Sequence, residues 1–182
     1  MLPVSLVYEF NGRFQALSGT LPSGDRGTQR TLEYMQAMAV EGAKQMVVRE
    51  TAINVVRAAG APEHNLLAQL GALFRFVRDS VMFIGDVAGV ETLQSPRYTL
   101  HVMAGDCDDR ATLMVALARS IGIPTSLKFR VIAANPKFPR SFSHVYVVAR
   151  VNGKDIALDP TYHQNALGFE YPGAFRTGDF AL

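Results

Sequence analysis

The segment GDCDDRATLMVALARSIGIPT, residues 105–125, decides the fold class of this chain. Acidic residues stand at its start, and Gly122 followed by Pro124 is a typical helix stop. Its apolar residues recur at helical spacing, at Met114, Leu117, Ala118 and Ile121. This pattern predicts a helix with Cys107 at its N-terminus.

The chain beyond this helix has the pattern of β-strands. Leu127, Phe129 and Val131 alternate with basic residues. The segment SHVYVVARVNGKDIALDPT, residues 143–161, then holds two apolar runs around Asn152-Gly153, a pair suited to a two-residue hairpin turn. The sequence therefore predicts that a sheet follows the cysteine helix.

The N-terminal third combines a hairpin with helices. Residues 1–17 alternate around Asn11-Gly12, which predicts a short hairpin, and the Gly- and Ser-rich residues 18–29 favour a loop. Helical spacing of apolar residues then predicts three packing helices, which begin at Thr31, after Gly42 and near Pro62.

Two further segments have weaker patterns. Residues 81–100 hold two glycines and a proline, which favours a short strand and a connecting loop, and the glycine-rich residues 163–182 favour an irregular tail. At 182 residues and 48% hydrophobic content, the chain is long enough for one substantial core. We expect one α+β domain over 1–182, with a helical prelude at about 28–79 and a core at about 73–162.

Composition excludes several function classes. Charged residues make up only 19% of the chain and the net charge is +2, which does not favour a nucleic-acid partner. A basic stretch is more typical of a solvated strand face and loop, and it comprises Lys128, Arg130, Lys137 and Arg140. No basic leader and no long apolar run occur, so we expect a cytoplasmic protein without a signal peptide or membrane contact.

Cys107 is the only cysteine, which excludes an internal disulfide and leaves a structural, metal-binding or reactive role. A helix N-terminus lowers a thiol pKa through its unpaired N–H groups and dipole. The neighbouring aspartates oppose this effect, and a histidine partner would overcome the opposition. We therefore interpret Cys107 as a candidate nucleophile.

His144 and Asp159 are the candidate partners of Cys107. His144 begins one predicted strand and Asp159 ends the next, so the hairpin brings them close together. Each residue alone fits an ordinary structural role, but the three in this order fit a nucleophile, a base and an orienting carboxylate. We expect no cofactor and no metal, because no ligand spacing connects the four candidate residues Cys107, His101, His144 and His163.

The two quoted segments resemble the cysteine-helix motif and the histidine-strand and aspartate-turn motif of the transglutaminase-like superfamily. The resemblance covers roughly residues 73–162. It implies a papain-like fold in which N-terminal helices and a cysteine-bearing helix pack on an antiparallel sheet. It also implies acyl-enzyme chemistry without a metal, with Cys107, His144 and Asp159 as the catalytic residues. The stretch VRDSVMFIGD, residues 77–86, is similar to compact bacterial and phage-encoded members.

Two departures from the family argue against protein cross-linking. The chain has no tryptophan, so the indole that some transglutaminases use beside the oxyanion is absent, and Ile156 stands where many relatives carry an aromatic residue. For the oxyanion we expect the Cys107 N–H and a second donor, Gln94 or Tyr98, with His101 as a further cleft candidate.

The leading functional hypothesis is a cysteine peptidase or amidase that acts on a protein or peptide substrate through an acyl-enzyme. One alternative is acyl transfer to an amine, as in a protein-glutamine transglutaminase, which needs the same triad and a site that keeps water away. Another is a catalytically weak binding or assembly module of prophage origin, which would then be associated with a virion.

Overall fold

The helix that begins at Cys107 lies at the centre of the fold. The computed structural model describes residues 1–123 and 126–182, so the predicted stop at Pro124 lies outside the described residues. Helix α5 spans Cys107–Ser120 and is buried along almost its whole length. Its neighbours on several sides are helices and one strand of a sheet, which is why its apolar residues encircle it instead of forming one stripe.

The elements follow one another in an α+β order. Two strands and three helices come first: β1 (Leu2–Phe10), β2 (Arg13–Leu21), α1 (Asp25–Ala43), α2 (Met46–Ala58) and α3 (Leu66–Ser80). Short elements lead to the central helix: β3 (Met82–Phe83), β4 (Glu91–Gln94), α4 (Pro96–Val102) and β5 (Ala104–Gly105). Strands follow α5: β6 (Leu127–Ala133), β7 (His144–Val151), β8 (Lys154–Leu158) and β9 (Arg176–Ala181).

An antiparallel sheet of four strands, in the order β8-β7-β6-β9, packs against α5 through β7. The prediction of a sheet after the cysteine helix is therefore confirmed, and so is the α+β class. The β7–β8 hairpin turns at Asn152 and Gly153, both with positive φ, as the Asn-Gly pair predicts. The helices α1, α2 and α3 also pack against α5.

The N-terminal hairpin is longer than its sequence pattern predicts. Its turn lies at Asn11-Gly12, but β2 continues to Leu21, which pairs with Leu2 and is buried. The prediction of a loop over residues 18–29 is therefore wrong, because strand pairing orders its first part and α1 begins at Asp25. β1 also pairs with β4 in parallel and so connects the hairpin to the segment before the cysteine.

Other boundaries also differ from the sequence pattern. The third helix begins at Leu66, where the Asn65 side chain accepts the Ala68 N–H, and not near Pro62. Within the predicted connecting loop, Ser95 caps the short helix α4. The tail predicted to be irregular contributes β9, because β6 supplies the hydrogen-bonding partners that order it.

Candidate active site

Cys107 is the first residue of α5, as the sequence predicts, and a capping box fixes this helix end. The Asp106 carboxylate accepts the Asp108 N–H at 3.3 Å, and Asp109 Oδ2 accepts the Asp106 N–H at 3.3 Å. Asp109 Oδ1 also accepts the Gln94 N–H at 2.7 Å, which joins β4 to the helix start. The aspartates beside the cysteine therefore hold the backbone that carries the thiol.

His144 and Asp159 form a buried pair on the neighbouring sheet. His144 Nε2 lies 2.8 Å from Asp159 Oδ2, and the two side chains are only 7% and 1% exposed. Asp159 Oδ1 accepts the Thr161 N–H at 3.1 Å, and the Asp159 carbonyl accepts a hydrogen bond from the Asn165 side chain at 3.2 Å. The backbone N–H of Thr161 thus holds the Asp159 carboxylate in place. The carboxylate then orients the imidazole ring of His144.

Arg110 ties the cysteine helix to the turn after β8. Its guanidinium donates to the carbonyl oxygens of Pro160 at 2.6 Å and Thr161 at 3.0 Å, and also to the carbonyl of Val81. Only 3% of this arginine is exposed, although it stands one turn after Cys107. The sequence pattern did not single out this arginine, although a charged residue within an otherwise apolar helix is the signal that could have revealed it.

Cys107 and His144 line the same cavity, whose volume is about 540 Å³. Since His144 Nε2 contacts Asp159, the other ring nitrogen, Nδ1, is the atom that could exchange a proton with a partner in this cavity. The structure therefore brings the cysteine and the histidine to one cleft, with the aspartate behind the histidine.

The thiol of Cys107 has a strongly raised pKa in this arrangement. Burial is the main cause and the Asp106 carboxylate is the next, and together with smaller contributions they raise the pKa of Cys107 to about 12. A hydrogen bond from the Val145 N–H opposes this shift. The net shift is therefore opposite to the lowering that a helix N-terminus favours, because burial comes first and the neighbouring carboxylates oppose the thiolate, as the sequence predicts for the aspartates. The thiol is protonated at neutral pH, and its attack requires a base.

Tyrosine rings surround His144. Ring centroids lie 5.8 Å away for Tyr146, 6.1 Å for Tyr162 and 5.4 Å for Tyr171. Burial, as the largest cause, raises the pKa of Tyr171 to about 12, so this phenol keeps its proton and can donate a hydrogen bond. Tyr171 comes from the tail, and no local sequence pattern predicts that it approaches the histidine.

The predicted cleft residues Gln94, Tyr98 and His101 lie elsewhere. Tyr98 and His101 pack against Phe14 of β2, with ring centroids 4.9 and 5.0 Å apart. The Gln94 side-chain oxygen accepts a long hydrogen bond of 3.5 Å from Thr99. None of the three is among the described residues that line the cavity with Cys107. Their role beside the oxyanion therefore stays a prediction, and of the three only Gln94 is joined to the start of the cysteine helix, through its backbone N–H.

Carboxylates are the groups near the thiol that could hold a metal. Three aspartates of the capping region each offer an oxygen, and these oxygens lie within 4.8 Å of one another; they are Asp106, Asp108 and Asp109. Two of them already accept the backbone N–H groups of the helix start. Among the histidines weighed in the sequence analysis, His163 lies beside Asp79 at 3.4 Å, away from this cluster.

Comparison with protein families gives one match. The model of the transglutaminase-like superfamily matches residues 50–160, which is more than half of the chain. This range contains Cys107, His144 and Asp159. A search of curated proteins gives no match.

Two solved structures are similar to the chain at low sequence identity. A candidate protease from Parabacteroides distasonis is 14% identical with a TM-score of 0.54, and the match covers 83% of this chain and 29% of that protein. A candidate cysteine protease from Cytophaga hutchinsonii is 21% identical with a TM-score of 0.46, over 72% of this chain and 42% of that protein. The chain thus spans less than half the length of both.

Over residues 1–123 and 126–182, no helix is both long enough and apolar enough to cross a membrane.

Proposed function

The chain belongs to the transglutaminase-like superfamily, and from this premise we propose that it is a cysteine-dependent hydrolase, a peptidase or amidase acting on a protein or peptide. We further propose that the whole chain forms one catalytic domain. The observation that carries the proposal is the buried contact of 2.8 Å between His144 Nε2 and Asp159 Oδ2, beside a cavity shared with Cys107.

In the proposed reaction, Cys107 Sγ attacks the carbonyl carbon of the substrate while His144 Nδ1 takes the thiol proton. Asp159 holds the ring through Nε2 and stabilises the imidazolium that forms. His144 then protonates the leaving amine, and the acyl group remains on the sulfur. Water, activated by the same nitrogen, attacks this thioester, which releases the acid and returns the proton to the thiolate.

The Cys107 N–H is the proposed first donor to the oxyanion. It belongs to the first turn of α5, whose N–H groups have no intrahelical acceptor. Its position beside the reacting sulfur suits an oxygen that becomes negatively charged during the attack. With the thiol pKa raised, the proposed attack is one in which proton transfer to the base accompanies bond formation, instead of a thiolate formed in advance.

A second candidate function is a binding module without catalysis, and the raised pKa of the Cys107 thiol favours it. A protonated buried thiol is inert unless a base activates it. Hydrolysis is preferred to acyl transfer to an amine because the chain contains no tryptophan. Incorporation of an added amine, with release of ammonia from a glutamine peptide, would identify the transferase instead.

The test is the alkylation of Cys107 by iodoacetamide across pH, followed by intact mass spectrometry. We expect the wild-type protein to react at neutral pH at least about tenfold faster than His144→Ala. His64→Ala is the matched control, because His64 is exposed on the loop before α3 and should leave the rate unchanged.

A wild-type rate that rises only in strongly alkaline solution and is the same in His144→Ala would overturn the proposal in favour of the binding module. An activated ester substrate provides the complementary test. A rapid release of one equivalent of leaving group, with the acyl mass on Cys107, is expected for the wild type and absent in Cys107→Ser.

A further inference from the structure

Two exposed aromatic rings lie next to each other beside the candidate active site. They belong to Phe83 and Tyr162, and their centroids are 6.2 Å apart. We call these two residues the aromatic pair. Phe83 is 46% exposed and Tyr162 is 39% exposed. Exposed apolar side chains that adjoin one another, unlike single scattered ones, commonly mark a binding surface.

The aromatic pair adjoins the cysteine on one side and the histidine on the other. Phe83 pairs with Gly105 in the ladder of β3 and β5, and Gly105 stands two residues before Cys107. The ring centroid of Tyr162 lies 6.1 Å from that of His144. One ring therefore comes from the segment that leads to the proposed nucleophile, and the other contacts the proposed base.

The buried Arg110 holds the backbone below both rings. Its guanidinium carbon lies 5.8 Å from the centroid of the Phe83 ring, and the group donates to the carbonyls of Val81 and Thr161. Val81 stands two residues before Phe83, and Thr161 directly precedes Tyr162. A surface fixed in this way loses little conformational freedom when a ligand binds, so the aromatic pair is a pre-formed contact surface.

The aromatic pair lines a cavity of about 390 Å³ together with Met82 and several charged side chains. These charges are already engaged: Arg78 Nε lies 2.6 Å from Asp79 Oδ1, and His163 Nδ1 lies 3.4 Å from the same oxygen. The guanidinium of Arg110 is engaged by backbone carbonyls. A charged ligand would have to displace one of these partners, so the lining favours an uncharged apolar group.

We propose that the substrate residue whose carbonyl Cys107 attacks carries a large uncharged apolar side chain, which packs against Phe83 and Tyr162. This inference rests on the proposed hydrolase function and adds the substrate class. The contact of Tyr162 with His144 identifies the occupant as substrate, because a group on the aromatic pair lies beside the reacting atoms. In the acyl residue, Cα is bonded directly to the attacked carbonyl carbon, so its side chain is the nearest one to the pair.

The size of the expected preference follows from the contact that a small side chain lacks. An aromatic side chain of the substrate would stack on one ring of the pair or meet it edge to face, and a methyl group would leave both rings in water. Apolar pockets distinguish substrates that differ by one methylene by about 10–200-fold. Since the aromatic pair is only partly enclosed, we expect a preference of about tenfold for a phenyl ring over a methyl group.

The test compares three reagents that share one thiol-reactive group: the chloromethyl ketones of acetyl-phenylalanine, acetyl-alanine and acetyl-lysine. In each, the sulfur of Cys107 forms a thioether bond and chloride leaves. The rates are measured by intact mass spectrometry, and each is divided by the rate of the same reagent with glutathione. We expect the phenylalanyl reagent to react about tenfold faster than the alanyl reagent, and the charged lysyl reagent to react more slowly than the phenylalanyl one.

Variants then locate the preference. Phe83→Ala should reduce the ratio of phenylalanyl to alanyl rates to about threefold or less, whereas Phe83→Tyr keeps the ring and should keep the ratio. Tyr162→Ala and Tyr162→Phe form a second pair with the same expectation. Both reagents are measured on the same protein, so a partial loss of folded protein cancels in the ratio. Phe10→Ala is the matched control, because Phe10 is an exposed aromatic residue outside both cavities.

Equal rates for the phenylalanyl and alanyl reagents, or a ratio that Phe83→Ala does not change, would overturn the inference. A lysyl reagent that reacts fastest would overturn it as well. Equal rates together with a dimer that Phe83→Ala converts to a monomer would assign the aromatic pair to an interface between copies. The proposed function is judged separately by the alanyl reagent: a rate that does not depend on His144 contradicts the hydrolase, whereas a His144-dependent rate without side-chain preference contradicts only the substrate class.

Discussion

Replacing the buried Arg110 by methionine tests how the cysteine helix is joined to the turn that carries Asp159. Methionine retains most of the apolar stem but removes the guanidinium that donates to the carbonyls of Pro160, Thr161 and Val81. Arg110 Nε has no acceptor among the described residues, so the expected cost comes from these three hydrogen bonds alone.

Each of these hydrogen bonds from a charged donor contributes about 1.5–3 kcal/mol to stability. The variant no longer buries a cation, and the desolvation free energy that is saved offsets part of the loss of the three bonds. We therefore expect Arg110→Met to lower the free energy of unfolding by about 3–5 kcal/mol. For a chain of this size the melting temperature should fall by about 6–20 °C. Urea unfolding followed by circular dichroism measures the first quantity, and calorimetry measures the second.

A second measurement separates a local effect from general destabilisation. At a temperature where Arg110→Met remains folded, its iodoacetamide labelling should lose much of its dependence on His144, because the Asp159 turn is no longer held against α5. Arg119→Met is the matched control, since Arg119 lies in the last turn of the same helix and is only half-buried. A loss of less than about 1 kcal/mol in Arg110→Met would refute the anchoring role.

Three further predictions concern the carboxyl groups of the site. Burial and neighbouring charges raise the pKa of Asp109 to about 8 and that of Asp108 well above its usual range, so the folded state holds protons that the unfolded chain releases. The stability that these two groups contribute should therefore be complete below about pH 4 and should be lost as the pH rises from about 4 to 8, as urea unfolding would measure. Asp108→Asn should flatten this decline. In Gly105→Ala, the new Cβ would lie 2.7 Å from Asp109 Cβ and displace the capping carboxylate, which should cost about 2 kcal/mol or more in urea unfolding. Asp159→Asn should reduce any ester or peptide hydrolysis by at least about 10²-fold with little change in fold, because His144 loses its charged partner.

A control variant and two contradicting outcomes apply to these three predictions. Gly19→Ala adds a Cβ that meets Val4 at an ordinary contact of 3.5 Å, so its stability should change by less than about 1 kcal/mol. Stability that rises between pH 5 and 8 would contradict the assignment of raised pKa values. Hydrolysis that survives in Asp159→Asn would show that the carboxylate does not orient the base.

Local patterns in the sequence were sufficient for the elements that carry the candidate triad. The capping aspartates and apolar spacing placed the start of α5 at Cys107, and the Asn152-Gly153 pair placed the hairpin that joins His144 to Asp159. These features depend on neighbours within a few residues, and for this reason one chain could reveal them.

Elements stabilised by distant partners were missed. β9 has little alternation of its own, and it exists because β6 offers a free edge of hydrogen-bonding groups. Tyr98 and His101 precede the cysteine closely in sequence, yet Phe14 of the N-terminal hairpin packs against them. Proximity along the chain was therefore a poor guide to which side chains reach the cleft.

The sequence by itself determined the α+β class, the helix that begins at Cys107 and the pairing of His144 with Asp159, because short-range capping, turn and periodicity signals encode them. Only the tertiary structure decided the electrostatic state of the site. The direction in which the pKa of the Cys107 thiol shifts depends on how deeply the sulfur is buried and on which carboxyl groups surround it. Burial and charge neighbours are set by the packing of segments far apart in the chain, such as β4 against the start of α5.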